Sequence, residues 1–281
     1  MKTIGFVDFY ISEWHANNYP VWFKEICEAT GEEFCVKYAW AEEYVSPVDG
    51  RNTDEWCKEF GVEKCDSIQE LCEKSDYILV LSPSNPEKHL GYAKEVLKYK
   101  KNTYIDKTFA PDYATAKEIF DIAEKYGTKF FSSSALRYSE ELETLIDSKA
   151  IMTFGGGSNI DEYIIHQIEM LVKTANDTPK AVRVEQQANQ YVISVAFESG
   201  KKGTMLFSGA LGFSVCVENA EGKPVYAKMQ SDFFKNLLKD ILRFYKTGET
   251  SFDVKQTLAV MKIREAVITG KNKLGEWIAL Q

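Results

Sequence analysis

The first part of the chain alternates short apolar runs with segments whose apolar residues recur at helical spacing. Continuous apolar runs are typical of parallel strands buried on both faces, and residues 77–81 form the clearest one. Helical patterns follow Pro20, Pro86 and Pro111, and proline is favoured in the first turn of a helix. Strands are predicted at residues 3–9, 33–38, 77–81, 103–105 and 128–131. This alternation predicts a doubly wound parallel sheet.

The pattern changes beyond about residue 135. Apolar residues alternate with polar ones over residues 191–197 and 213–217, which predicts antiparallel strands with one covered face. Helices are predicted at about 160–173, after Ser231, and from Asp253 to near Gly270. The second part of the chain therefore reads as an α+β domain with a mostly antiparallel, open sheet.

Length and composition agree with a two-domain α/β protein. We predict one domain over residues 1–122 and the other over residues 123–281, with a last helix that could pack back on the first domain. The 34 Lys and Arg against 42 Asp and Glu give a net charge of −8, which argues against binding to nucleic acid or anionic membranes. No apolar run approaches the roughly 20 residues that span a bilayer, and the N-terminus has no signal-peptide pattern. We expect a cytoplasmic protein.

The cysteines and histidines do not form a metal-binding pattern. Five of the six cysteines fall within the first 72 residues, but none forms a CxxC pair, and a chain of this length does not need disulfides. His15, His89 and His166 lie far apart, and no HExxH occurs. We predict reduced thiols and no metal site.

Candidate chemistry lies at the ends of the predicted parallel strands, where open α/β sheets bind ligands. Three such ends are Asp8-Phe9-Tyr10, Ser82-Pro83-Ser84 and Asp106-Lys107-Thr108. Lys107 is placed to reach into the crevice, and the alternative is a surface lysine at the sheet edge.

A second candidate is the pair Glu162 and His166. Residues four apart share one face of a helix, so the carboxylate could orient the imidazole as a general base. The alternative is a surface pair that only stabilises the helix.

The order of these motifs resembles the Gfo/Idh/MocA family of NAD(P)-dependent oxidoreductases. That family has an apolar strand that ends in a small residue and proline, a histidine soon afterwards, and a later strand that ends in Glu-Lys-Pro. Here the corresponding residues are Ser82-Pro83-Ser84, His89 and Asp106-Lys107-Thr108. The resemblance continues through Gly155-Gly156-Gly157, His166–Leu171 and Gly275–Ile278.

The resemblance implies a Rossmann domain that holds NAD or NADP and a second domain that forms an open sheet beneath the site. Lys107 would hydrogen-bond the reacting oxygen, His166 would exchange the hydroxyl proton, and Glu162 would orient His166. The usual substrates are sugars, cyclitols and their derivatives, and the open sheet usually forms a homo-oligomer. Cofactor contacts are expected from Asp8, Tyr10, Ile11, Glu42, Ser82, Pro83, Ser84, His89, Asp106 and Lys107.

The chain departs from the family pattern at the phosphate loop. The family motif GxGxxG is replaced by Asp8-Phe9-Tyr10-Ile11-Ser12-Glu13, which places carboxylates at the first and third glycine positions. Thr108 replaces the proline after the lysine, and Glu42 is either a ribose ligand or part of a solvent-facing acidic loop.

Two functions are therefore open. One is a dehydrogenase of a secondary alcohol or ketone in a sugar-like substrate. The other is a non-catalytic relative that binds a small ligand or protein partner and has lost the dinucleotide.

Overall fold

The computed structural model describes residues 1–280, which form two compact units. The first unit contains Met1–Ser132 and Leu237–Val254, and the second contains Ser133–Asn236 and the segment from Lys255 onward. The junction thus lies ten residues later than the predicted boundary at 122/123, because the strand Phe130–Phe131 still belongs to the first sheet. The helix that joins the first unit is the penultimate one, rather than the last.

The first unit is built on a six-stranded sheet in which every pair of neighbouring strands is parallel. The strand order is β3-β2-β1-β4-β5-β6, so the chain moves outward from β1 first in one direction and then in the other. This confirms the predicted doubly wound sheet. The strands are β1 (Lys2–Tyr10), β2 (Phe34–Glu43), β3 (Glu63–Lys64), β4 (Tyr77–Val80), β5 (Thr103–Ile105) and β6 (Phe130–Phe131).

Five helices connect these strands. The helix α7 (Phe233–Thr247) comes much later in the chain, and its part from Leu237 onward belongs to the same unit. Tyr245 of α7 stacks on Tyr77, with ring centroids 4.7 Å apart, and its hydroxyl donates to the Ile78 carbonyl at 2.8 Å. The helices are α1 (Trp14–Thr30), α2 (Thr53–Phe60), α3 (Ile68–Lys74), α4 (His89–Val96), α5 (Tyr113–Tyr126) and α7 (Phe233–Thr247).

Strand β1 lies at the centre of the sheet, and its register decides which residues share an edge. Gly5 allows close packing there, since a Cβ at this position would lie 2.4 Å from Ser75 Oγ. Val7 pairs with Val80, and Val80 pairs with Ile105. The loops after β1, β4 and β5 therefore leave the sheet side by side.

Helix α1 begins earlier than the sequence pattern predicts. We expected Pro20 in the first turn, but the helix begins at Trp14 and Pro20 lies inside it. Pro20 has no N–H, so it cannot donate the usual helical hydrogen bond to Ala16. The early start has a separate cause, since the Glu13 side chain caps the first N–H groups.

The second unit is built on a seven-stranded sheet, with order β12-β11-β7-β10-β9-β8-β13, in which only β7 and β10 pair in parallel. Gln167 joins helix α6 to this sheet, since it accepts from Thr153 Oγ1 at 3.1 Å and donates to the Gly155 carbonyl at 3.1 Å. The elements are β7 (Ala150–Gly155), α6 (Ile160–Ala175), β8 (Pro179–Gln187), β9 (Gln190–Phe197), β10 (Lys202–Phe207), β11 (Ser214–Glu218), β12 (Pro224–Lys228), α8 (Lys255–Gly270) and β13 (Trp277–Ala279).

The predicted α/β class, with a parallel sheet and a second, mostly antiparallel sheet, is confirmed. Within residues 1–280, no helix has both the length and the apolar character needed to cross a bilayer. The cysteines are free, as predicted: Cys27, Cys35, Cys57, Cys65, Cys72 and Cys216.

Candidate functional site

Lys107 lies directly after β5, at the sheet edge where the sequence predicts a crevice. Its side chain is half-buried, and a cis peptide bond joins it to Thr108. The position agrees with the predicted candidate, while its role in binding or catalysis stays a prediction.

His89, which is expected to contact the cofactor, holds the loop that follows Lys107. Its side chain is fully buried, with Nδ1 3.0 Å from the Phe109 carbonyl oxygen and Nε2 2.6 Å from the Leu81 carbonyl oxygen. Burial lowers the pKa of His89. With both ring nitrogens facing backbone carbonyls, this side chain connects the end of β4 to the loop after β5. The expected contact of His89 with a cofactor stays a prediction.

Asp106 is also engaged inside the protein. Its carboxylate is buried and lies 2.7 Å from His15 Nδ1, and it accepts a hydrogen bond from the Tyr104 hydroxyl at 3.1 Å. Burial alone would raise the pKa of Asp106, but the charge and hydrogen bond of His15 lower it. The pair Asp106 and His15 therefore fastens the first turn of α1 to the end of β5.

Asp8, near the C-terminal end of β1, binds the start of the loop after β4. Asp8 Oδ1 accepts from the Phe9 N–H at 2.7 Å, from the Ser82 N–H at 3.0 Å and from Ser82 Oγ at 3.3 Å. Burial raises the pKa of Asp8 well above its usual range, and the nearby charge of Glu13 raises it further. Asp8 and Ser82, both predicted cofactor contacts, thus bind each other and tie the loop after β1 to the loop after β4.

Glu13 occupies the N-terminus of α1. Its two carboxylate oxygens accept from the N–H groups of His15, at 2.8 Å, and of Ala16. The Glu13 side chain is 95% buried by area, since only 5% of the residue surface is exposed. Burial raises the pKa of Glu13, although His15 and the two N–H groups oppose this shift.

The contacts of Asp8 and Glu13 determine whether the pyrophosphate of a dinucleotide can bind at the N-terminus of α1. The pyrophosphate of a dinucleotide binds at the N-terminus of the helix after the first strand, on N–H groups that glycines leave accessible. Here the N–H groups of His15 and Ala16 are already bound by Glu13, and Asp8 stands beside it. The residues of this loop therefore do not fit a pyrophosphate in the described conformation.

Glu42 lies near the end of β2, where a ribose ligand is expected. Its carboxylate accepts from Lys88 Nζ at 2.6 Å and from the Tyr92 hydroxyl at 2.7 Å, and both hydrogen bonds lower the pKa of Glu42. Lys88 also lies over the Phe9 ring, 4.3 Å from its centroid. The carboxylate is thus part of a network that joins β2, α4 and the loop after β1.

The remaining predicted contacts differ in their accessibility. Ile11 is buried, Tyr10 and Pro83 are half-buried, and Ser84 is exposed. Tyr10 lies against Phe9, with ring centroids 5.6 Å apart. Ile11 therefore contributes to the core of this loop, whereas the other three residues lie at or near its surface.

In the second unit, His166 is held at the first half of α6. Its Nδ1 lies 2.7 Å from Ser134 Oγ, and the rings of Tyr163 and Phe213 flank it with centroids 5.9 and 5.5 Å away. Glycines make this arrangement possible. A Cβ at Gly155 would lie 2.4 Å from the Phe213 ring, and one at Gly157 would lie 2.1 Å from the Tyr163 ring.

Glu162 is placed at the first turn of α6. Its backbone N–H donates to Asn159 Oδ1 at 2.9 Å, and its carboxylate accepts from Asn159 Nδ2 at 3.3 Å. Glu162 therefore takes part in the N-terminal cap of the helix. Its predicted role in orienting His166 stays a prediction.

Three residues near His166 escaped sequence analysis: Ser134, Arg137 and Glu169. Arg137 Nε donates to Glu169 Oε2 at 2.6 Å, and Glu169 Oε1 accepts from the Ser134 N–H at 3.1 Å. Arg137 and Glu169 are both about 96% buried by side-chain area, since each side chain is only 4% exposed. The ion pair thus fixes the backbone of Ser134, whose hydroxyl contacts His166. A charged residue within the apolar face of α6 is the signal that could have revealed Glu169.

Residues 43–134 match a family model described as an oxidoreductase family with an NAD-binding Rossmann fold. The match covers 92 of the 281 residues and agrees with the resemblance of the sequence motifs to the Gfo/Idh/MocA family. The match begins after the loop that carries Asp8 and Glu13, so it does not include the altered phosphate loop. No curated protein matches the chain in sequence.

Solved structures show the same fold over nearly the whole chain. A myo-inositol dehydrogenase from Lactobacillus casei, in complex with NAD(H) and myo-inositol, is 11% identical, with a TM-score of 0.81 over 100% of this chain and 97% of that one. A "probable dehydrogenase" from Thermotoga maritima is 15% identical, with a TM-score of 0.79 over 99% and 98%. An aldose-aldose oxidoreductase from Caulobacter crescentus, complexed with glycerol, is 12% identical, with a TM-score of 0.75 over 99% of both chains. At these identities the likeness shows a shared fold.

The buried carboxyl of Asp8 leads to a prediction about stability. Because its pKa is raised in the folded protein, the native state keeps a proton that the unfolded chain releases above about pH 4. The free energy of unfolding therefore falls as pH rises, by at most about 1.4 kcal/mol per pH unit, until the folded-state pKa is passed. Asp8→Asn has no carboxyl group to titrate at this position. The free energy of unfolding of Asp8→Asn minus that of the native protein should therefore increase from about pH 5 to pH 7.

Urea unfolding at the two pH values measures this difference. Asp121→Asn, which changes an exposed aspartate of α5, is the matched control. An equal stability difference between Asp8→Asn and the native protein at both pH values would contradict the prediction.

Proposed function

We propose that the protein is an oxidoreductase that interconverts a secondary alcohol and a ketone in a sugar-like or cyclitol-like substrate, with NAD or NADP as cofactor. The observation that carries this proposal is the arrangement around His166, whose Nδ1 is held by Ser134 between two aromatic rings. A fixed imidazole is what proton exchange with a hydroxyl requires. The family match over residues 43–134 supports the oxidoreductase class.

Two side chains carry the proposed chemistry. The ammonium of Lys107 donates a hydrogen bond to the reacting oxygen and stabilises the negative charge that develops on it. His166 takes up the hydroxyl proton during oxidation and returns it during reduction. Ser134 is a positioning residue, because it contacts the imidazole at Nδ1. Dinucleotide binding requires that the Glu13 carboxylate leave the N–H groups it caps.

A second function is favoured by one observation, which is the capped N-terminus of α1. Because Glu13 already binds the N–H groups of His15 and Ala16, a relative that has lost the dinucleotide and binds only a small ligand or a partner would keep this structure unchanged. The preference between NAD and NADP and the cytoplasmic location stay predictions.

Cofactor binding separates the two functions. We expect the purified protein to bind NADH or NADPH, with an increase in nicotinamide fluorescence that saturates during titration. The matched control is a chemically unfolded sample of the same protein. If isothermal titration calorimetry also detects no binding of either dinucleotide, the oxidoreductase proposal fails and the ligand-binding alternative is favoured.

The proton-exchange role predicts the effect of replacing His166. His166→Ala should lower turnover of polyols such as myo-inositol by a factor on the order of 10²–10⁴, because it removes the imidazole that is proposed to exchange the proton. Its affinity for NADH should stay within about twofold of the native value, since the change removes no group of the first unit.

Ser134→Ala provides a graded comparison, in which the imidazole remains but loses its contact at Nδ1. Its pH profile of turnover should shift, whereas a purely structural role would lower turnover equally at every pH. Unchanged turnover in His166→Ala would refute the proposed proton exchange.

We also propose that the protein forms a homo-oligomer through the second sheet. One face of this sheet carries apolar residues that are not buried, and they lie in cross-strand register. Met152 is 50% exposed and Tyr226 is 64% exposed. Met152 pairs with Cys216, which pairs with Tyr226, and Phe154 pairs with Leu206. A continuous apolar surface of this kind is typical of an interface.

Light scattering tests this assembly directly. We expect a mass at least twice the 32.0 kDa of the chain. Met152→Lys should shift the equilibrium toward the monomer, because it places a charge at the centre of the apolar row. The control Lys117→Gln changes an exposed residue of α5 in the first unit, and it should leave the mass unchanged. A native protein that is monomeric at high concentration would contradict the proposal.

A further inference from the structure

The capped N-terminus of α1 has the geometry of an occupied anion site. Two oxygens of one carboxylate, Oε1 and Oε2 of Glu13, accept from two consecutive N–H groups, those of Ala16 and His15. Phosphate groups bind helix N-termini through the same N–H groups and the same favourable helix dipole. Glu13 thus makes, from within the chain, the contacts that a phosphate makes elsewhere.

The position of Glu13 corresponds to a glycine of the GxGxxG motif. Glu13 replaces the third glycine of GxGxxG, a residue whose lack of a side chain permits close packing beside the pyrophosphate. Asp8 replaces the first glycine. The two substitutions therefore bring two carboxyl groups to the place where the family binds a dianionic group.

A second observation at this place is the unsatisfied oxygen of Asp8. Oδ1 of Asp8 has three hydrogen-bond donors, while Oδ2 is buried and has no hydrogen-bond partner among residues 1–280. The nearby charge of Glu13 contributes to the raised pKa of Asp8, which shows that the two carboxyl groups interact. A buried polar atom without a partner is uncommon in a folded protein. Because burial raises the pKa of Asp8, this carboxyl keeps a proton that it can donate to a phosphate oxygen.

The first turn of α1 does not depend on Glu13 alone. His15 is held by Asp106, at 2.7 Å, and its ring stacks on Tyr19 with centroids 5.2 Å apart. Ala16 and Tyr19 are fully buried. These contacts keep the N–H groups of the first turn aligned if the Glu13 carboxylate leaves.

We propose that Glu13 is a specificity-determining residue that occupies the pyrophosphate position at the N-terminus of α1, so that a dinucleotide binds only in competition with its carboxylate. The inference rests on the proposed function for the identity of the ligand, a nicotinamide dinucleotide. The inference adds that the Glu13 carboxylate limits the affinity for that ligand, because it binds the N–H groups at the start of α1.

The competing explanation is that Glu13 is an ordinary helix cap. In that case its removal would destabilise α1 and would open no site, because the crevice would not accept a pyrophosphate. The two explanations differ for a variant that keeps a cap but loses the charge. Glu13→Ser is such a variant, since serine is a preferred N-cap residue.

The experiment compares four proteins: the native chain, Glu13→Gln, Glu13→Ser and Glu28→Gln. Glu28 lies on the same helix with its side chain 67% exposed, so Glu28→Gln makes the same change in net charge away from the cap. Each protein is titrated with NADH and with NADPH by nicotinamide fluorescence and calorimetry, at one ionic strength. Inorganic pyrophosphate then serves as a competitor, and thermal unfolding confirms that each variant is folded.

We expect Glu13→Gln and Glu13→Ser to bind the dinucleotide at least about tenfold more tightly than the native protein, because a negative charge leaves the helix N-terminus. Glu13→Ser should show the larger gain, since its short side chain also frees space. Glu28→Gln should stay within about twofold of the native affinity, because exposed charges are screened. Inorganic pyrophosphate should weaken NADH binding in Glu13→Ser.

The outcomes separate this inference from the proposed function. If the native protein does not bind and Glu13→Ser does, the inference is supported while the natural protein lacks the proposed cofactor. If the native protein and both Glu13 variants bind equally tightly, the proposed cofactor stands and the inference is overturned. If the folded Glu13→Ser protein binds neither dinucleotide, Glu13 is only a helix cap.

Discussion

The parallel register of β1, β4 and β5 is the constraint on which the first unit depends. Because Val7 pairs with Val80 and Val80 pairs with Ile105, three loops leave the same edge of the sheet side by side. Asp8, Ser82 and Asp106 stand at the starts of these loops, and each is buried. Polar groups buried this close to one another must satisfy each other or bind a ligand. In this chain these groups contact other protein groups: Asp8 accepts a hydrogen bond from Ser82, and Asp106 lies against His15.

The acidic residues of this loop form hydrogen bonds within the protein. In a glycine-rich loop, the N–H groups at the start of the first helix remain available to a phosphate. In this chain the helix carries its own anion, so the dipole and the N–H groups are satisfied without a ligand. The loop is therefore a stable folded segment, with α1 anchored to β5 through His15. A carboxylate at this position satisfies the first N–H groups of the helix without a ligand, and those N–H groups are then not available to a phosphate.

The second unit uses a different means to hold its candidate residue. The imidazole of His166 is fixed by a hydroxyl and two rings, and the hydroxyl belongs to a segment fastened by the buried pair of Arg137 and Glu169. Breaking one partner of such a pair leaves an uncompensated buried charge, so the segment keeps one conformation. Gly155 and Gly157 serve close packing around the rings, and their role in this chain is steric.

The sequence by itself determined the class of fold and indicated a resemblance to a known family. Continuous apolar runs and helical spacing identified β1, β2, β4, β5 and β6, because burial on both faces of a parallel sheet leaves a strong pattern. Short elements such as β3 and α3 escaped, since two to seven residues carry too little periodicity.

Only the tertiary structure decided what the candidate residues contact. The start of α1 depends on a carboxylate that reaches back to two N–H groups, and the spacing of apolar residues contains no record of that contact. The place of His89 in the motif does not reveal the two backbone carbonyls that its ring nitrogens face. Glu169 finds Arg137 across 32 positions of sequence. Such contacts depend on how distant segments pack, whereas periodicity records only which side of an element is buried.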